Sequence, residues 1–425
     1  MKKYIEIYNF YKEKIQNGFL KNGDKIPSVR KSAEYLNVSI TTVTNAYNAL
    51  AADGFIIAKA QSGYYVSYKK NKGLPERQTV VKEEKIKYDF KSNKADASSF
   101  DINLWKRYIK NALKNDEKLL SYSETQGEYE LRVALSEYIM KKRNIIAPPE
   151  RIVVGAGTNN LLLILCSLIK NKKTVSIPES KSFKIGESIF KTFGFEITYR
   201  NKNAQIIYVS PSHMTRFGDV MSVKRRKELV EYSAKNNALV IEDDYESDFL
   251  YNKKPSPSVF TMAEKDNVVY IGSFSRLLLP GIRIGFMVLN EELSDLYNKH
   301  KDEFVQFASK TEQIALCSYI RDGHLYSQTR KIRRIYTAKT KELETCVKKE
   351  FKHSKIKISD NGLQLSIKTS CHKTLEEIKI LMKKHSFYAT VDSFSNGNIC
   401  LILNSSGVNT NDFEDAVNTL KKILK

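Results

Sequence analysis

Between residues 151 and 289 the sequence alternates between two textures, and this constrains the fold more than any other feature. "RIVVGAG" reads as a strand ending in glycines, and the apolar helical run "TNNLLLILCSLIK" follows it. "KTVSI", "AQIIYVS", "ALVIEDDY", "NVVYIGSFS" and "IRIGFMVL" read as further strands, with helices in "SFKIGESIFKTFG" and "VKRRKELVEYSAKNN". Strands separated by helices indicate an α/β domain with a largely parallel central sheet. In such sheets ligands sit at the carboxyl ends of the strands.

A chain of 425 residues is too long for one core, so a second domain is expected. The first seventy residues supply it. Gly23 and Pro27 mark a turn, and "SVRKSAEYL" reads as a short helix with Ser28 as its N-cap. Asn37 and Val38 interrupt, and Ser39 caps the next helix. Val43, Ala46, Tyr47 and Leu50 then recur at i, i+3, i+4 and i+7 and form one buried face. Thr41, Thr42, Asn45 and Asn48 fall on the other side. This is the layout of a helix-turn-helix whose second helix presents its first turn to base edges. "FIIAKAQSGYYVSY" adds a hairpin with Gly63 at its turn, a wing whose backbone can approach a phosphate closely. Residues 1–70 hold 11 Lys/Arg against 5 Asp/Glu. "KKNKGLPERQTVVKEEKIKY", residues 69–88, is charged and aperiodic and reads as a linker. The division expected is therefore 1–68 for the winged head, 69–88 for the linker and 89–425 for the large domain.

The net charge of +22 suits a polyanionic partner such as nucleic acid, though lysine spread along the whole chain also fits a compositional preference. The longest apolar run, "LLLILCSLI", is far short of the roughly 20 residues that cross a bilayer. With no signal-peptide pattern at the N-terminus, a cytoplasmic protein without a membrane partner is expected. Five scattered cysteines lack metal-type spacing and read as reduced cytosolic thiols.

Three strand ends carry candidate chemistry. In "GAGTNN", Gly157 and the following helix N-terminus make either an anion site or a plain strand-to-helix turn. "EDDYESDF" clusters Glu242, Asp243 and Asp244, which suits Mg²⁺, a single buried cation such as a protonated ring nitrogen, or a solvated acidic turn. "SFSRLLLPGIR" offers the hydroxyls of Ser273 and Ser275 and the guanidinium of Arg283 as phosphate ligands.

The first segment resembles the winged helix of the GntR family of transcription regulators. Its "LPS-R-LA" run appears as Ile26-Pro27-Ser28-Val29-Arg30-Lys31-Ser32-Ala33, and its "VS-x-TV--AY--L---G" run spans Val38 to Gly54. The resemblance implies DNA contacts from Arg30, Ser39, Thr41, Thr42, Asn45 and Gly63. Where that family often has Arg after "VS", this chain has Ile40. The rest resembles fold-type-I aminotransferases, and the whole chain resembles the MocR subfamily of GntR regulators. Tyr122, Gly127, Leu131, Arg132 and Arg143, "VVGAGTNN", "PSH", "IEDDY-S-F" and "FS-x-x-LLPG-RIG" carry that likeness. It implies pyridoxal 5'-phosphate as cofactor: Asp243 on the pyridine nitrogen, Tyr245 on the ring hydroxyl, Phe183 stacked on the ring, and Thr158, Asn159, Ser273, Ser275 and Arg283 around the phosphate.

The lysine that binds the cofactor covalently in that family falls at Arg276. Arginine stays protonated and is not a usable nucleophile, so covalent pyridoxal should not form there. Ser406 or Gly407 stands where the family often has a carboxylate-clamping arginine, and Met214 and Arg216 replace its Gln and Pro after the His. The reading expected is a homodimeric regulator of operator DNA. Its large domain senses a small anionic effector, either vitamin B6 phosphate held non-covalently or another metabolite bound with the help of Arg276, without transaminase catalysis. A pyridoxal-dependent aminotransferase or lyase with an added DNA-binding domain, and a ligand-free dimerisation scaffold, are the alternatives.

Overall fold

The structure, a computed structural model, describes residues 3–68, 86–91, 94–96, 98–179, 183–249, 251, 256–393 and 398–425. The chain divides into two compact units, Met1–Glu84 and Lys85–Lys425. Of the linker expected over 69–88, residues 69–85 lie outside the described residues. Tyr88, which that reading leaves in the linker, is buried in the large unit: Tyr88–Asp89 pairs in parallel with Phe387–Tyr388.

The head contains α1 (Lys3–Gln16), α2 (Val29–Tyr35), α3 (Ile40–Ala52), β1 (Ile56–Lys59) and β2 (Gly63–Val66). Both expected caps form: Ser28 Oγ accepts from Lys31 N at 3.3 Å and Ser39 Oγ from Thr42 N at 3.2 Å. Each satisfies a helix-end amide that has no partner within its own helix. Val43, Ala46, Tyr47 and Leu50 are fully buried and share one core with Ile7, Tyr11 and Ile15 of α1. Within that core the Tyr47 hydroxyl meets Ser32 Oγ at 2.7 Å and donates to Pro27 O at 2.9 Å, which pins α3 to the turn before α2. The hairpin turns through Gln61 and Gly63, both at positive φ. The sequence pattern does not announce a bridge to this hairpin from the turn before α2. Ile26 N donates to Tyr64 O at 3.0 Å and Val66 N to Asp24 O at 2.9 Å, so the segment before α2 adds an isolated bridge, Lys25 to Tyr65, to the two-stranded wing.

The large unit is built on seven strands: β3 (Ile152–Gly155), β4 (Thr174–Ile177), β5 (Glu196–Tyr199), β6 (Ile206–Val209), β7 (Leu239–Asp243), β8 (Val268–Ser273) and β9 (Gly285–Val288). Their order is β3-β9-β8-β7-β6-β4-β5, with β9 antiparallel to both neighbours and the other pairings parallel. Alternation along the strands separates two cores: Ile152, Val154 and Phe286 face the one that holds Trp105, and Val153 and Met287 face the one that holds Leu161 and Phe190. β5 is absent from the sequence reading, because it is a half-exposed edge strand with little apolar patterning. The four-stranded antiparallel sheet of residues 355–404 and the 27-residue helix His324–Glu350 are absent from it too.

Gly127 sits at φ +97°, and a Cβ there would lie 2.5 Å from Val154 Cβ on β3. Backbone strain and overlap act together, so Gly127→Ala should destabilise the large unit by about 2–4 kcal/mol. Thermal unfolding of the variant should show its transition shifted down by several degrees, while the head's secondary structure stays intact.

Candidate functional site

The carboxyl ends of β6, β7 and β8, with α4 (Thr158–Leu168) following β3, open on a cavity of about 830 Å³. All nine residues expected at a ligand site line it: Thr158, Asn159, Phe183, Asp243, Tyr245, Ser273, Ser275, Arg276 and Arg283. That volume suits a small-molecule ligand.

The anion end is built from two turns. Gly157, at φ +82°, precedes the N-terminus of α4, whose first amide groups lack helical partners. Arg283 also adopts a left-handed conformation, at φ 52°, and lays its guanidinium over Gly157; a Cβ there would come within 3.0 Å of Arg283 Nη2. Helix amides and a guanidinium thus converge beside Ser273 and Ser275.

The acidic cluster resolves into separate roles. Glu242 accepts from Val259 N at 2.9 Å and Phe260 N at 2.8 Å, capping a short helix. Asp244 accepts from Tyr270 Oη at 2.7 Å and Ser212 Oγ at 3.1 Å and pairs with Arg143 at 2.9 Å. Asp243 differs: Oδ2 accepts from the Tyr208 hydroxyl, while Oδ1 is buried without a partner. Burial foremost pushes the Asp243 carboxyl up to about 7. The three carboxylates do not converge, and no group of three or more His, Cys, Asp or Glu able to hold a metal occurs among the described residues.

Arg276 lines the cavity, yet its Nη2 lies 3.2 Å from Oε1 of Glu246, a buried carboxylate three residues beyond Asp243. Glu246 Oε2 meets His213 Nδ1 at 2.5 Å and accepts from Asn361 Nδ2 at 2.7 Å. Burial opposes ionisation of Glu246, but His213 and Arg276, together with the Asn361 bond, outweigh it and hold its carboxyl below the ordinary value. Burial likewise opposes a charge on His213, and Glu246 outweighs it and raises the imidazole. Phe183 stacks on Tyr208 with ring centroids 3.9 Å apart and planes 15° from parallel.

Sequence reasoning misses Tyr208, Ser210, Glu246 and Asn361. Glu246 stands inside the quoted "EDDYESDF" with nothing to single it out, and Asn361 carries no local signal. Lys91 and Lys184 also line the cavity, which supplies primary amines that no motif places.

In the head, Arg30, Ser39, Thr41 and Asn45 are exposed. Ser39 and Thr42 hydroxyls bond each other at 2.7 Å, so both serve the cap of α3. Ile40, at the first position of α3, is 54% exposed.

Residues 85–401 match the family described as aminotransferase class I and II, and residues 3–66 match the bacterial regulatory proteins of the gntR family. The HTH-type transcriptional regulator YdeL of Bacillus subtilis strain 168 is 28% identical over 99% of this chain and 96% of its own length. The probable rhizopine catabolism regulatory protein MocR of Rhizobium meliloti is 24% identical, covering 79% of this chain and 75% of its own. The pyridoxine biosynthesis transcriptional regulator PdxR of Corynebacterium glutamicum is 25% identical, covering 76% and 74%. An archaeal alanine:glyoxylate aminotransferase superposes with TM-score 0.70 at 18% identity over 80% of this chain and 90% of its own, which shows the fold. The chain therefore belongs to the aminotransferase class I and II family through its large unit and, with a gntR-type winged helix-turn-helix ahead of it, is a transcriptional regulator of the MocR kind.

Proposed function

We propose that this regulator binds a small anionic ligand in the large unit, most simply a vitamin B6 phosphate held without a covalent link, and that occupancy controls how the head engages operator DNA. The observation that carries this reading is the unpartnered, buried Oδ1 of Asp243, in the same cavity as the anion cup formed by α4 and Arg283. A buried acceptor without a partner costs roughly 1–3 kcal/mol, and a ligand with a protonated ring nitrogen removes that cost.

The residues fit pyridoxal phosphate at both ends. Asp243 would take its ring nitrogen, and Thr158, Asn159, Ser273, Ser275 and Arg283 its phosphate, with Tyr245 and Phe183 as walls. Bound there, the cofactor brings a reactive aldehyde. The position where related enzymes attach it holds Arg276, which is always charged and is tied to Glu246. We propose that Arg276 keeps this wall cationic rather than reacting. We also propose a homodimer acting on a two-half-site operator in the cytoplasm, with Arg30, Thr41 and Asn45 in contact with DNA, Gly63 admitting a phosphate, and Ser39 and Thr42 setting the entry of α3. The exposed Leu120, Tyr122 and Phe307 offer apolar surface that a second copy would cover.

Pyridoxal phosphate should raise the melting temperature of the wild-type protein. Borohydride treatment followed by mass spectrometry should show no added mass, whereas Arg276→Lys should gain one cofactor mass. Wild-type protein that gains the mass would place a reactive lysine, such as Lys91 or Lys184, in the site and favour the enzyme reading. Asp243→Asn should weaken cofactor binding about tenfold or more, read by titration calorimetry.

The acidity of Asp243 predicts a pH effect. Its folded value of about 7 lies above the unfolded value of 3.8, so the folded state holds the proton more tightly. The associated stability is present at low pH and is lost as pH rises from about 4 to about 7, at about 1.4 kcal/mol for each pH unit crossed. The ligand-free protein should lose stability between about pH 4 and about pH 7, a loss to which Glu242, also raised to about 7 by burial, contributes, and Asp243→Asn should reduce that slope in denaturant titrations.

A further inference from the structure

The outer face of the wing carries a charge arrangement that the helix-turn-helix layout does not require. In the wing, Lys25 pairs with Tyr65 across an isolated bridge, Tyr65 lies opposite Ile57, and Lys59 lies opposite Gly63. Side chains alternate across a strand, so Lys25, Lys59 and Tyr65 share one face. Lys59 Nζ sits 4.6 Å and Lys25 Nζ 5.6 Å from the centre of the Tyr65 ring. Both separations fall within cation–π range, which limits the freedom of two otherwise flexible side chains.

Further contacts favour a partner outside the protein. Both lysines are exposed, and among the described residues neither pairs with a carboxylate. The neighbouring Asp24 carboxylate is turned away to accept from Lys21 N at 2.7 Å. Gly63 leaves the space that Lys25 uses: a Cβ there would lie 3.3 Å from Lys25 Cε. The Tyr65 hydroxyl is itself fixed by Ser62 Oγ at 2.7 Å, beside the turn. Two like charges held close together with no internal anion are unfavourable alone and favourable around an external one.

We infer that Lys25, Lys59 and Tyr65 form a phosphate clamp, in which the Tyr65 ring holds two ammonium groups in place to receive the sugar-phosphate backbone of operator DNA. The clamp adds affinity and orientation without reading bases, because phosphate contacts carry no sequence information directly. Tyr65 is a positioning residue, and the lysines carry the charge.

The full-length protein is titrated by fluorescence anisotropy against a duplex from its own upstream region and against a scrambled duplex, over a range of salt concentrations. Each lost phosphate contact reduces the slope of log K against log salt by about 0.9. The double variant Lys25→Gln/Lys59→Gln, which keeps the apolar stems and the fold, should lower the slope by about 1.8 per head, about 3.6 for a homodimer with both heads on the duplex, and weaken both duplexes alike. Tyr65→Ala, with charge unchanged, should keep the wild-type slope but bind both duplexes about threefold to tenfold more weakly. Tyr65→Phe, which keeps the ring, should behave as wild type. An unchanged slope in the double variant, or a loss confined to the upstream duplex, overturns the clamp. So does Tyr65→Ala binding with wild-type affinity. A melting temperature within a degree of wild type confirms that each variant is folded.

Discussion

Four carboxylates are buried within five residues at the end of β7, and the site depends on how each is matched. Glu242, Asp243, Asp244 and Glu246 are all nearly inaccessible to solvent. A buried ionised carboxylate is tolerated only when it is paired or well hydrogen-bonded. Glu242 draws in two backbone amides, Asp244 draws in Arg143 from the helix Tyr129–Arg143, and Glu246 draws in His213, Arg276 and Asn361. Segments far apart in sequence are fixed around one strand end in this way. Asp243 alone keeps an oxygen in reserve, and the cavity is arranged around it.

That matching gives Arg276 a meaning the sequence does not show. Read along the chain, Arg276 falls where the resemblance places a lysine in an otherwise recognisable anion cup, which suggests that it holds an anionic group of a different ligand. In the structure its charge is already half answered by Glu246, thirty residues upstream. Arg276 therefore ties a wall of the cavity to the turn after β7. The large unit keeps the fold of an aminotransferase, and the position that the sequence reading assigns to the covalent lysine holds an ion pair.

What is legible in the sequence follows the range of the interactions involved. The head can be read closely, because its caps are three residues from the amides they serve and its buried face repeats within α3. The parallel sheet and the cup are legible for the same reason: strand ends, glycines and hydroxyls are local signals. The Glu246 network spans contacts as distant as Asn361, and no spacing rule announces such a contact. The C-terminal antiparallel sheet escapes notice because strands such as Lys355–Ile358 alternate lysine with isoleucine in stretches only four residues long. β5 hides for a similar reason. The bridge from Lys25 to the wing lies in a turn whose Gly and Pro advertise only an interruption.

The stack of Phe183 on Tyr208 links the centre of the cavity to its edge. Tyr208 donates to Asp243, so any cation placed at that carboxylate would compete with the hydroxyl for negative charge. A change in that bond bears directly on the ring above it, and Phe183 is the residue from which the helix Lys184–Thr192 departs. Two stacked rings thus join the buried carboxylate to the start of a surface helix.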